Sequence, residues 1–215
     1  MCGRFTLRTP AAAVAKYFDL LNVPDFQANY NVAPTTQVLV IRETGASLMT
    51  WGLVPHWAKE PKAGQINARS ESAAEKPMFR EAVRKRRCLM VADGFFEWTK
   101  IDGKKQPFYF HMKDGHPFAF AGMWEQWGDL ETCALLTTTP NDVVAKVHDR
   151  MPVILSPADY PKWMDSTLQD AAAVKYMLDP YPGEEMVGYA VNPEVNSVRN
   201  NDPDCIAPIP MPAAD

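Results

Sequence analysis

A chain of 215 residues, 47% hydrophobic and 11% aromatic, carries enough apolar side chain to bury a substantial core and reads as one domain. Its 22 basic residues stand against 26 acidic ones, a formal charge of −4, which excludes a binder working through a global positive field. Any contact with nucleic acid must then be made by a local patch.

Four dispersed cysteines, Cys2, Cys88, Cys133 and Cys205, form no CxxC pair and have no His at ligand spacing, so no metal or other cofactor is expected. No apolar run has transmembrane length, and the first residues lack a signal-peptide core, so membrane association is not expected. The expectation is a cytoplasmic monomer with free thiols.

Along the chain, Thr9 and Pro10 read as N-cap and first residue of a helix over 11–21, with Val14, Phe18 and Leu21 on one face. Residues 37–41 and 46–51 flank Glu43-Thr44-Gly45, a hairpin signal. A long polar loop runs from Val54 to about Ser70, broken by Pro55, Pro61 and Gly64; loops of that length inside a domain are often functional. A basic helix is predicted over 78–86. Strand patterns follow at 88–92, 95–99, 107–112, 118–125 and 133–139, with turns at Asp102-Gly103 and Asp114-Gly115. A short helix over 141–147, a strand over 151–155, a helix pair from Ser156-Pro157 to about 178 and a strand over 186–191 complete the domain, 1–201. The tail, 202–215, holds four prolines and three aspartates and is predicted to be poorly ordered at its end. Strands come in clusters rather than in βα alternation, which predicts an α+β fold: a single domain with an antiparallel, barrel-like β core and peripheral helices.

Four places carry candidate chemistry. Removal of Met1 ahead of a small second residue leaves Cys2 as a 1,2-aminothiol, with an amine of pKa about 8 beside a thiol of about 8.5. Such a pair condenses with an aldehyde to an imine, and the thiol then closes a five-membered thiazolidine. The alternative is an ordinary buried thiol. In 66–71 Asn67 both donates and accepts, and Arg69 offers a fork for phosphate; a capped turn with solvated charges is the competing reading. Glu97 sits in the aromatic run Phe95, Phe96, Trp98, where burial raises a carboxyl pKa into the general-acid range, unless it alternates outward to solvent. His148 precedes a strand and is suited to proton transfer, with Arg150 a second phosphate fork, although a lone His is more often structural. The basic run 80–87 is either a solvated helix face or part of a nucleic-acid footprint.

Taken together, MCGRF, YNVAP (30–34), WGLVPHW (51–57), INARSE (66–71), ADGFFEW (92–98) and HDRMPVIL (148–155) span most of the chain in one order. This pattern resembles the SRAP family, the SOS-response-associated peptidases that include abasic-site processing proteins. The resemblance implies a protein that binds single-stranded DNA at abasic sites and crosslinks to the ring-opened aldehyde through its N-terminal Cys. It implies Cys2 as the crosslinking residue, Asn67 positioning it, and Glu97 and His148 assisting proton transfers. It also implies phosphate contacts by Arg4, Arg69 and Arg150, and base wedging and stacking by Pro34 and Trp57, with Trp98 a further stacking candidate. Some relatives have two adjacent Trp where only Trp57 stands here. A DNA-bound population would be nucleoid-associated. Three other readings stay open: an N-terminal-nucleophile amidohydrolase, which also begins Met-Cys-Gly; a peptidase, acting in trans or only on Met1; and a noncovalent single-strand binder.

Overall fold

Short strands, most with apolar residues on both faces, pair into two sheets. A computed structural model describes residues 2–61 and 64–210. The chain opens with β1 (Phe5–Leu7), helix α1 (Ala11–Tyr17), β2 (Asn29–Val32), β3 (Gln37–Arg42), β4 (Gly45–Trp51) and β5 (Asn67–Arg69). Helices α2 (Ser70–Ala73) and α3 (Arg80–Lys85) lead into β6 (Arg87–Ala92), β7 (Gly94–Ile101), β8 (Lys104–Met112), β9 (Phe118–Trp127) and β10 (Leu130–Thr138). Last come β11 (Met151–Pro152), α4 (Tyr160–Met164) and β12 (Met186–Ala190).

One sheet has the order β12-β8-β7-β1-β2. In the other, β10, β4, β3, β6 and β9 pair in succession and β9 pairs back onto β10, so the ladders close into a barrel-like circuit. The ladders are antiparallel except where β4 and β5 run parallel to β10. These two act as one interrupted strand: β10 pairs with β4 at Thr132 and Cys133, then with β5 from Leu135 to Thr137. Residues 52–61 and 64–66 are looped out between them.

Alternation explains why both faces of the closed circuit are apolar. Val38, Val40, Cys88, Met90, Phe118, Phe120, Cys133 and Leu135 pack with Phe5, Phe95 and Phe110 of the first sheet. Their chain neighbours Leu39, Ile41, Leu89, Val91, Ala119, Ala121, Ala134 and Leu136 pack with Val14, Phe79, Val83 and Trp163 from the helical segments. Among the described residues no helix is long and apolar enough to cross a membrane.

The structure departs from the sequence reading at several ends. Helix α1 stops at Tyr17 because Asp19 takes a left-handed φ of 52°, and Leu21 is fully exposed rather than on the buried face. Thr9 is no cap; its hydroxyl donates to Asp93 instead. The predicted loop to Ser70 ends early in β5 and α2, and the short helix over 141–147 is a 3-10 turn, Val144–Lys146. Only α4 within the predicted helix pair is α-helical, between 3-10 turns at Pro157–Asp159 and Ala171–Leu178. The basic run offers little free charge. Arg84 and Lys85 pair with Glu81, Arg86 with Glu125, and the buried Arg87 donates to the carbonyls of Val83, Arg84, Trp163, Asp165 and Leu168. The tail is packed through Pro203–Ile206, with Cys205 3% exposed, and Pro208 bridges Val191; residues 211–215 lie outside the described residues.

Candidate functional site

The start of the chain is held at every other residue. The buried Asp93 carboxylate accepts from the Thr6 hydroxyl (2.6 Å), the Thr9 hydroxyl (2.8 Å) and the backbone N–H groups of Arg8 (2.7 Å) and Thr9 (2.8 Å). Phe96 N–H donates to the Arg4 carbonyl at 3.0 Å. Upstream, the Asn67 side-chain amide donates to the Cys2 carbonyl at 2.7 Å. Cys2 is fully buried, and its thiol reaches the Arg4 carbonyl at 3.6 Å. Burial, with the nearby Glu97 charge adding to it, pushes the thiol far above its ordinary pKa, so sulfur rests here as S–H.

Asn67 gets its place from the interrupted strand. Gly52 donates its N–H to the Cys133 carbonyl, Leu53 and Gln65 exchange backbone hydrogen bonds across the loop's neck, and β10 then pairs with Asn67. The two glycines of the neck touch backbone to backbone: a Cβ on Gly64 would collide with the Gly52 carbonyl, and Gly52 itself has φ +146°. The buried Trp51 seals the neck, its indole N–H donating to the Ile66 carbonyl at 3.0 Å and its ring edge-on to Phe5 at 5.0 Å. The Asn67 Oδ1 is buried with no hydrogen-bond partner among the described residues, an acceptor open to an amine.

Strand β7 brings the acid. Phe95 and Glu97 share one face, and Phe96 and Trp98 the other, as period-two alternation requires. Glu97 is 1% exposed, and burial raises its pKa to about 7. His148 Nε2 stands 3.9 Å from Glu97 Oε2. Its Nδ1 lies 3.0 Å from the Arg150 backbone nitrogen and 3.2 Å from the Arg150 carbonyl oxygen, so the Arg150 backbone holds the ring with Nε2 toward Glu97. Burial lowers the His148 pKa, and Asp149, 3.1 Å from Nδ1, opposes that shift. Cys2, Asn67, Glu97 and His148 thus meet where the two sheets join.

The other predicted residues are distributed differently. Arg4 donates to Asn31 Oδ1 (2.6 Å) and the Val195 carbonyl (3.1 Å). Arg69 is exposed beside the site. Arg150 is turned inward, onto Glu71 and the Thr137 carbonyl. Trp98 lies on the far face of β7, its indole N–H on Asn196 Oδ1 at 2.6 Å, and does not share Glu97's face. Half-buried Pro34 precedes Thr35, whose N–H donates to the Trp51 carbonyl. Trp57 is 57% exposed on the looped-out segment, beside a cleft of about 370 Å³ lined by Leu53, Pro55 and Met78. The sequence reading gave Trp51, Gly52 and Asp93 no role of their own and took Gly64 only as a break in the loop. A pair of glycines bracketing the long loop was the available signal for the neck; nothing local marked Asp93 as the anchor of the first strand. Among the described residues no group of three or more His, Cys, Asp and Glu is placed to hold a metal ion.

A cysteine next to the start of the chain thus has an amide on its carbonyl and a carboxyl and an imidazole at hand. The model of the family described as SOS response associated peptidase (SRAP) matches residues 1–198, and the chain belongs to that family. It is similar to the abasic site processing protein YoqW of Bacillus subtilis, 38% identical over 96% of this chain and 99% of the relative. It is also similar to the abasic site processing proteins YedK of Escherichia coli, 32% identical over 97% and 100%, and HMCES of Gallus gallus, 32% identical over 76% and 57%. A crystal structure of a protein from Bacteroides thetaiotaomicron matches with a TM-score of 0.89 at 26% identity, over 97% of this chain and 100% of that one.

Proposed function

We propose that this protein processes abasic sites in single-stranded DNA by crosslinking to them through Cys2, once Met1 has been removed. The observation that carries the reading is the convergence of the Asn67 amide on the Cys2 carbonyl with Glu97 and His148 beside the thiol. An abasic sugar is mostly a closed hemiacetal. Glu97, with a pKa of about 7, retains a proton near neutrality to open it to the aldehyde. The Cys2 amine, held by the open acceptor of Asn67, then adds to the aldehyde carbon and water leaves as the imine forms. The S–H adds across C=N: sulfur bonds to carbon, and the thiol proton passes by way of His148 or Glu97 to nitrogen. No oxidant or cofactor enters this balance.

Binding in this reading comes from Arg4, Arg69 and Arg150 at phosphates, with Pro34 wedged between bases and Trp57 stacking at about 1–3 kcal/mol per base. Trp98, whose indole N–H is engaged by Asn196 on the opposite face of β7, remains a further stacking candidate through its ring. Intact-mass measurement after incubation with abasic single-stranded DNA tests the proposal. A covalent adduct is expected that survives denaturation, is absent from Cys2→Ala and from protein with a blocked N-terminus, while Cys2→Ala binds DNA within a few-fold of wild type. Adduct formed by Cys2→Ala at the normal rate, or release of ammonia from glutamine without any adduct, would overturn it.

A further inference from the structure

The cleft beside Trp57 carries no titratable pair of the cysteine site, and most of the basic run is engaged within the fold. A charged pair at the rim of the cysteine site is left over. Glu71 lies in the first turn of α2, four positions after Asn67, and its carboxylate takes both arms of Arg150, at 2.5 Å from Nη1 and 2.9 Å from Nη2. The Arg150 side chain is only 11% exposed, whereas that of Glu71 is 51% exposed. Arg150 Nη2 also donates to the Thr137 carbonyl at 2.6 Å. Thr137 pairs with Arg69 of β5 on one side and with Pro152 of β11 on the other. The ion pair therefore spans three strands, from the segment that carries Asn67, across β10, to the turn that carries His148.

We infer that Glu71 is a positioning residue of the cysteine site, holding Arg150 so that the Arg150 backbone, which meets His148 Nδ1, fixes the ring with Nε2 toward Glu97. The hydrogen bonds already placed form the route: Glu71 to the Arg150 guanidinium, and Arg150 N–H to His148 Nδ1 at 3.0 Å. A bidentate carboxylate–guanidinium pair fixes orientation as well as distance. Without Glu71, a nearly buried guanidinium keeps only the acceptors of Thr137, an arrangement strongly disfavoured by desolvation. The short turn His148-Asp149-Arg150 is then the element free to move. The opposing Arg150 pair also holds the Glu71 carboxyl below the usual carboxylate range, in keeping with a standing ion pair. The kinetic consequence rests on the proposed crosslink; the effect on the ring does not.

The test compares wild type, Glu71→Gln and Glu71→Ala in two arms. Ring nitrogen NMR shifts of His148, assigned against His148→Gln, are expected to report one fixed ring environment in wild type and displaced or averaged shifts in Glu71→Ala. Adduct formation with abasic single-stranded DNA is expected to slow ~10–100-fold in Glu71→Ala, the range for removal of a residue that orients a site group, and less in Glu71→Gln, which still accepts one Arg150 bond. Unchanged ring shifts in Glu71→Ala overturn the inference whatever the rate does. Tighter DNA binding with a salt slope steeper by about one unit would also overturn it, assigning Glu71 to screening Arg150 from phosphate. If wild type forms no adduct the crosslink reading fails, and the ring shifts still decide the role of Glu71.

Discussion

At the scale of single residues, Glu97 shows how a fold sets a proton's availability. The unfolded chain releases the Glu97 proton near 4.5, whereas the folded one holds it to about 7 because the charged form is desolvated. Between those values the folded state binds more protons, so this group's contribution to stability declines as pH rises and is lost above about 7. Glu97→Gln removes the dependence. It is expected to be more stable than wild type at pH 8, by at most roughly 3 kcal/mol, and near parity at pH 4, as urea denaturation at the two pH values would show. The rate of adduct formation should fall above pH 7 in wild type, whereas Gln should be ~10²-fold slower and lose that dependence. Equal rates and equal profiles would remove Glu97 from the chemistry. The burial of Glu97 was legible in the sequence, but of the aromatic run named around it only Phe95 shares its face. Which face Trp98 occupies followed from alternation in β7 but needed the opposing partner Asn196, nearly a hundred residues away, to be settled.

Among the elements, the interrupted strand β4–β5 does the positioning. Its neck tolerates no side chain at Gly64, so Gly64→Ala must part the two backbones or shift the return segment that leads to Asn67. Destabilisation of about 1–3 kcal/mol is expected from overpacking, together with slower adduct formation. Gly128→Ala is the control: its φ is +56° but its Cβ would meet open space, so it carries backbone strain alone and should leave the adduct rate intact. Thermal unfolding beside a crosslinking time course separates the two, and an unaffected rate in Gly64→Ala would detach the neck from Asn67. Tight hairpins such as Ile101 to Lys104 were readable because Asp102 and Gly103 both take the positive φ that their turn demands. The parallel pairing of β4 and β5 with β10 was not. Its partners are brought together only by closure of the whole circuit, and local patterns carry no record of it. The cap at Thr9 failed for a related reason: its hydroxyl donates to the distant Asp93 carboxylate instead of accepting from the first N–H groups of the helix.

Over the whole molecule, the last segment is woven into the first. Asn31 donates to the carbonyls of Val195, Ser197 and Asn200, Arg4 donates to that of Val195, and Tyr30 N–H donates to Asn201. Beyond them Cys205 packs with Phe96 and Tyr109, the Tyr189 hydroxyl donates to the Ile206 carbonyl, and Ile209 N–H donates to that of Ala190. Composition alone predicted a tail poorly ordered at its end, because prolines and aspartates hide a single buried cysteine and a row of backbone bonds. Truncation after Asn201 is expected to lower the melting temperature by several degrees and slow adduct formation; unchanged melting would return the segment to a disposable role. The pinning of the opening residues has its own consequence under the proposed chemistry. A loose arm gains roughly 3.5 Å of reach with each residue and would search a volume for its target. Here alternate residues are fastened at Cys2, Arg4 and Thr6, so the cysteine has almost no slack and searches nothing. If the proposed crosslink holds, the sugar must travel to the cysteine, and selectivity then resides in the immobility of the reactive end.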